Sequence, residues 1–177
     1  MQPQSALTGY ALPFEQARTY AAREGWRERV LAYVVRRPTE LLVFAHTPEY
    51  SEAGIQVPAG GVEPGEPPAE AAVRETWEES GLRLSDPQHL TSYHWTRVGQ
   101  SQAWHYYALR APLTTPDTWA HRVTDGENDS GLLFLYHFAP LADPGLIPGY
   151  GYEATLPHLH AHLHTFPDLP LPKEFRP

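Results

Sequence analysis

From residue 12 onward the pattern of apolar and polar positions divides the chain into recognisable elements. Leu12 to Trp26 (LPFEQARTYAAREGW) carries alanines and long side chains, a proline near its start and a glycine near its end. It predicts a short helix, serving as a lid, a dimer contact or packing. Apolar residues then come in unbroken runs: VLAYVVRR from Val30 and LLVFAHT from Leu41, separated by the breaker Pro38-Thr39, fit a hairpin of central strands. A polar segment, Pro48 to Gly54, leads to Ile55-Gln56-Val57 and to PAGGVEPGE, where the backbone must turn sharply. Pro67 to Ser80 (PPAEAAVRETWEES) is the clearest helix, with proline in its first turn and Gly81 where a left-handed cap is wanted. Two β-like runs follow, His89 to Val98 and Gln102 to Ala111, joined by Gly99-Gln100-Ser101. A polar loop bearing Asp125, Glu127 and Asp129 precedes the apolar strand LLFLYHF. A Gly/Pro-rich link, Asp143 to Gly151, leads to a last helix, Glu153 to His164. No segment repeats. Strands and helices mixed in this order predict one α/β domain over residues 1–177, its sheet sandwiched by helices, with a proline-rich tail from roughly residue 165 that drapes or frays.

The glutamates of the Pro67 to Ser80 segment are not scattered. At about 100° per residue, Glu75, Glu78 and Glu79 fall within about 100° of one another. Opposite them stand Ala69, Val73, Thr76, Trp77 and Ser80, a stripe that predicts packing on a sheet. Three converging carboxylates repel one another, which raises their proton affinity and costs stability unless cations bind. The patch therefore suits oxygen coordination of Mg2+ or Mn2+. For an isolated E-x-x-E-E, a solvated acidic face would be the ordinary explanation.

The spacing around the helix decides between the two. Gly60, five residues, Glu66, seven residues, Arg74-Glu75, the pair Thr76-Trp77, Glu78-Glu79, Ser80 and Gly81-Leu82 together resemble the signature box of the Nudix hydrolases. That pattern is G-x5-E-x7-R-E-U-x-E-E-x-G-U, with U a bulky apolar residue. All seven fixed letters stand in place. At roughly 7% usage each, a chance match at one start position is on the order of 10⁻⁸. The first U is Thr76, close to valine in shape but carrying a hydroxyl, so the packing there is expected to be slightly weaker. The resemblance covers residues 60–82 and implies the family's α/β/α sandwich with a mixed central sheet.

What the resemblance implies for each letter agrees with its chemistry. Glu78 and Glu79 are the principal metal ligands, with Glu75 a further ligand or base and the Gly60 carbonyl beside them. Arg74 is the residue that orients Glu75, a task suited to a fixed charge with five donors. Glu66 sits just before the helix, where the dipole favours a negative charge. The implied reaction is metal-dependent hydrolysis of a nucleoside diphosphate linked to another group. Water attacks one phosphorus, divalent cations neutralise the phosphate oxygens, and a carboxylate takes the proton. Family members often add a second base from a loop after the box. Here the candidate is Glu127 in TDGENDSG, with Asp125 and Asp129 behind it, although an acidic surface turn explains the same residues equally well.

Reading of the rest of the substrate is left to aromatic and basic side chains after the box. Trp95, Trp104, His105, Tyr106 and Tyr107 cluster there, and aromatic faces stack on nucleobases. Strand alternation puts Trp104 and Tyr106 on one face and His105 and Tyr107 on the other. Core packing is the stronger expectation for either set. Arg97 faces phosphate or solvent. His158, His160, His162 and His164 split on a helix into two i, i+4 pairs on different faces, which argues against a single metal site.

Composition then narrows the classes. With no cysteine, there is no disulfide framework, thiolate zinc site, iron–sulfur cluster or cysteine nucleophile. The formal net charge of -8 argues against nonspecific nucleic-acid binding and implies that an anionic substrate arrives with metal cations. No apolar stretch nears the roughly 20 residues of a membrane span, and the first residues lack a basic start followed by an apolar run. A cytoplasmic protein is expected, and a homodimer stays open. Within the resemblance, the missing cysteines set aside the isopentenyl isomerases and the zinc-bearing NADH pyrophosphatases. No coenzyme A signature precedes the box, and the proline expected of ADP-ribose enzymes does not follow it. Inositol polyphosphates would favour more basic residues. Nucleoside triphosphates, dinucleoside polyphosphates and nucleotide conjugates remain as substrates. Two rival readings also remain: a non-catalytic Nudix-like nucleotide-binding or sensor module, which would tend to lose the carboxylates, and a calcium-stabilised binding protein, which leaves Arg74 and the glycines unexplained.

Overall fold

A computed structural model describes residues 7–125 and 129–165. The first predicted helix is α1 (Phe14–Glu24), which starts after Pro13 and stops at Gly25, whose φ of 68° suits a residue without Cβ. Ahead of it stands a strand that the pattern did not predict, β1 (Thr8–Leu12), mostly exposed and paired antiparallel with β5 (Gln88–Arg97). A short segment with a glycine and no alternating apolar face gives a pattern nothing to detect.

β2 (Arg27–Val35) is buried from Val30 onward on both faces, as befits a central strand. It lies parallel to β6 (Gln100–Arg110), paired from Arg27↔Gln102 to Val35↔Arg110. The expected hairpin between β2 and β3 (Glu40–His46) holds at a single pair, Val35↔Leu41, beyond which the strands diverge. The edge of β2 is taken instead by β4 (Ala59–Gly61), through Arg29↔Gly61, Val30↔Gly60 and Leu31↔Ala59. β3 pairs along its whole length with β8 (Leu133–Pro140), and β7 (Thr118–Arg122), a second unpredicted strand, borders β8. The sheet order is β1-β5-β6-β2-β3-β8-β7, with β4 on β2.

Helices cover both faces. On one, α1 packs Ala17 and Ala21 on Ala103, and α2 (Pro68–Ser80) packs Ala71 and Ala72 on Val30 and Tyr107. On the other, α3 (Leu156–His164) seats Leu159 among Leu31, Tyr33 and Tyr106. α3 is shorter than the expected Glu153 to His164, because the buried Thr155 ahead of it is engaged with Tyr33, their hydroxyls 2.9 Å apart. The result is the expected α/β/α sandwich with a mixed sheet. Residues Pro48–Ala53 form a short 3-10 helix. Among the described residues no helix is long and apolar enough to cross a membrane. Of the proline-rich tail, only Thr165 lies within them.

Candidate active site

The glutamates of α2 do not face open solvent. Glu75, Glu78 and Glu79 are buried to 7%, 8% and 5% exposure, and the helix keeps Ala71, Ala72, Thr76 and Ser80 buried beside them. The expected stripe holds except at Trp77: Ala69 and Val73 pack against the core, and Thr76 and Ser80 are buried. Ala69 and Val73 are only partly buried, and Trp77 is 38% exposed, with the Arg83 guanidinium 4.5 Å from its ring centre. What the stripe did not foretell is that the carboxylates on the other side also turn inward, towards a cleft. Thr76 fits its buried place by donating its hydroxyl to the Ala72 carbonyl at 2.7 Å.

Arg74 organises the acidic groups. Its Nε and Nη2 donate to the two oxygens of Glu66 at 2.8 and 2.9 Å, a fork matched to a carboxylate. Nη1 donates to Glu75 at 2.9 Å and to Glu78 at 3.0 Å, and Nη2 also reaches the Gly61 carbonyl at 2.8 Å. Glu66, expected to act through the helix dipole, is thus the main anchor of Arg74. Those bonds hold its carboxyl below the usual carboxylate range.

The other three carboxyls move the opposite way. Burial raises Glu75 and Glu78 despite the opposing pull of Arg74. Burial, reinforced by Glu75, pushes Glu79 well up, and among the described residues only the Ala59 N–H, at 3.1 Å, hydrogen-bonds its carboxylate. Gly60 closes the group. A Cβ added there would overlap the Glu75 carboxylate, so only glycine allows this approach of strand to side chain.

These groups share a cleft of about 550 Å³ with Asp125 and Asp129. Two residues that the sequence reading missed line it as well, Arg27 and Arg29 from the start of β2. Their alternation along a strand leading to the box was the available signal. Arg29 lies over Trp104, on the α3 side of the sheet, while α2 packs on the other side. The divergence of β2 from β3 lets groups from both faces meet. All-oxygen donors in a negatively overloaded cleft have the right chemistry for a hard divalent cation. Among the described residues, however, no three acidic or imidazole side chains already stand in ligating geometry, and Arg74 holds Glu75 and Glu78.

Comparison with known proteins agrees with this arrangement. A family model described as the NUDIX domain matches residues 25–141, the stretch from β2 to the end of β8. The chain belongs to the Nudix family. It is 37% identical over 87 residues to an RNA pyrophosphohydrolase of Roseobacter denitrificans, covering 49% of this chain and 48% of that protein. It is 41% identical over 69 residues to diphosphoinositol polyphosphate phosphohydrolase 2 of Homo sapiens, covering 38% and 37%. The chain thus spans less than half the length of these curated relatives. A pyrophosphohydrolase of Bacillus subtilis shares the fold with a TM-score of 0.56, at 18% identity over 92% of both chains.

The remaining candidates fall outside the Nudix cleft or outside the described residues. Trp95, Trp104 and Tyr106 are buried in the core on the α3 side. There Trp95 Nε1 donates to the Tyr106 hydroxyl at 3.0 Å, which donates to the Gly151 carbonyl at 2.9 Å. Arg97 sits 4.8 Å from the Tyr150 ring centre and does not line the cleft. The alternation is as expected, since His105 lies on the opposite face and meets Glu28 at 3.0 Å. Glu127 lies outside the described residues.

Proposed function

We propose that this Nudix protein is a divalent-cation-dependent pyrophosphohydrolase acting on a nucleoside diphosphate linked to another group, within the cytoplasm. The observation that carries this reading is the cleft itself, in which three buried glutamates, two of them bonded to Arg74, share the lining with Arg27 and Arg29. Glu78 and Glu79, with Glu75 and the Gly60 carbonyl, would hold Mg2+ or Mn2+. Such an ion, when bound, draws charge from the phosphate oxygens and acidifies water. Arg74 orients Glu75 and Glu78 by direct hydrogen bonds. Arg27 and Arg29 receive the phosphate oxygens, supplying cations that the net charge of the chain did not suggest. Water adds to one phosphorus as the bridging P–O bond breaks. Its proton passes to a carboxylate of the loop, Glu127 or in its place Asp125 or Asp129, or to Glu75. The names of the relatives, a pyrophosphohydrolase and a phosphohydrolase of diphosphoinositol polyphosphates, agree with this bond class.

A substrate panel tests it. Nucleoside triphosphates, dinucleoside polyphosphates and nucleotide conjugates are incubated with magnesium, and released nucleoside monophosphate, phosphate and pyrophosphate are measured. Turnover of at least one class, abolished by chelator and restored by magnesium, is expected. Binding without turnover across the panel would favour the non-catalytic nucleotide-binding module instead.

A further inference from the structure

The C-terminal end of α2 is fastened by residues that the box does not contain. A helix leaves its last carbonyls without intrahelical donors. In α2 the Gly81 N–H returns to the Trp77 carbonyl at 2.8 Å, so the carbonyls of Glu78 and Ser80 look elsewhere. β7 and the residues that follow it supply the donors. His121 Nε2 lies 3.1 Å from the Glu78 carbonyl oxygen, and since a carbonyl only accepts, Nε2 carries the proton. Thr124 brings its N–H to the same oxygen at 3.3 Å and its hydroxyl at 3.4 Å. Trp119 Nε1 donates to the Ser80 carbonyl at 2.8 Å, its ring stacked on Tyr136 of β8 at 5.0 Å. Gly81 completes the fit, because a Cβ there would come within 2.9 Å of His121 Nδ1.

The residue after Thr124 is Asp125, which lines the cleft and acts electrostatically on Glu78. Two carboxylates facing one another separate unless something holds them. We propose that His121 and Thr124 are positioning residues, clamping Asp125 to the Glu78 end of α2 so that Asp125 and the helix present their carboxylates to one phosphate-binding space. The consequence for turnover rests on the pyrophosphohydrolase reading, whereas the clamp itself does not.

The test uses His121→Leu, which removes the donor, and His121→Gln, which keeps an N–H in a similar place. Amide hydrogen exchange reads the clamp without any turnover. In H121L the Thr124 and Asp125 amides should exchange about five- to tenfold faster, the factor that one net hydrogen bond is worth, and in H121Q at the wild-type rate. Mn2+ titration by calorimetry should show weaker binding in H121L and recovery in H121Q. With magnesium and a turned-over substrate, kcat should fall about tenfold in H121L while KM stays within about threefold, as loss of positioning without loss of substrate contacts requires. Thr124→Val, which removes only the hydroxyl, gives a smaller change of the same kind and serves if H121L does not fold. Wild-type exchange at Thr124 and Asp125 in H121L, or a rise spread evenly over the whole chain, would overturn the clamp. A wild type that hydrolyses nothing would sink the pyrophosphohydrolase reading and leave exchange to decide the clamp by itself.

Discussion

Glu79→Gln should stabilise the metal-free protein while removing its response to magnesium. Glu79 is 5% exposed, accepts one backbone N–H at 3.1 Å, and faces Glu75 and Asp129. Among the described residues it forms no salt bridge. Burying an ion costs several kcal/mol after relaxation, of which one hydrogen bond to a charged group returns about 1.5–3 kcal/mol. Glutamine keeps the Ala59 bond at about 1 kcal/mol and carries no charge. The net relief is about 1–3 kcal/mol at pH 8 in chelator, which for a chain of this size raises the unfolding midpoint by about 2–4 °C per kcal/mol. Magnesium should reverse the ranking. At a hundred times its Kd a ligand adds about 2.7 kcal/mol to the wild type, and the variant, lacking one ligand, should gain far less. Calorimetric unfolding of both proteins, in chelator and in magnesium, gives four midpoints. If the variant is destabilised in chelator by more than about 1 kcal/mol, the charge at Glu79 is already compensated and the electrostatic reasoning is wrong. If both proteins gain equally from magnesium, Glu79 is not a ligand.

Three further outcomes follow from the same geometry. In chelator, stability should fall as pH rises from about 4.5 through the raised values of Glu75, Glu78 and Glu79, because over that window the folded state holds protons that the unfolded chain releases. Below about 4.5 it should fall again as Glu66 and Glu40, lowered by their arginines, take up protons. Denaturant midpoints across pH check both limbs, and magnesium should flatten the upper one. Gly60→Ala should drive Glu75 off Arg74, destabilising the protein by about 1–3 kcal/mol and cutting kcat about a hundredfold, the scale of an ångström's misplacement; unchanged turnover would separate Glu75 from the chemistry. Tyr106→Phe should cost about 1–3 kcal/mol by stranding the Trp95 N–H and the Gly151 carbonyl, with KM unchanged, whereas a raised KM would return Tyr106 to the substrate.

The box was legible because its spacing is covalent. Caps at Pro67 and Gly81 fix where α2 begins and ends, and helical periodicity places Glu75, Glu78 and Glu79 on one arc. What the arc faces is a tertiary fact: the expected stripe holds at Ala69, Val73, Thr76 and Ser80 and fails at Trp77, while the burial of the glutamates went unseen because buried charge looks the same in sequence as solvated charge. Arg27 and Arg29 escaped for a related reason. Charged residues at a strand's start read as an exposed end, and it takes the tertiary fold, with Arg29 opposite Gly61 of β4, to bring them into the cleft of the glutamates. Alternation separated Trp104 and Tyr106 from His105, but both faces of β6 are covered, so period two could not say which one met a cleft. β1 and β7 are short and lie at the two edges of the sheet, where little apolar surface marks a strand.

The parallel pairing of β2 with β6 also sets when this site can come into being. Val30 lies beside His105, and every residue of the box falls in the chain between them. Closing so long a loop is entropically expensive and slow compared with forming a helix or a hairpin. During synthesis α2 therefore emerges with its carboxylates still in water, while β2 waits for its partner strand. A fragment ending before residue 100 would hold the complete signature and lack β6, β7 and the acidic loop. The motif is local, but the cleft is a late product of folding.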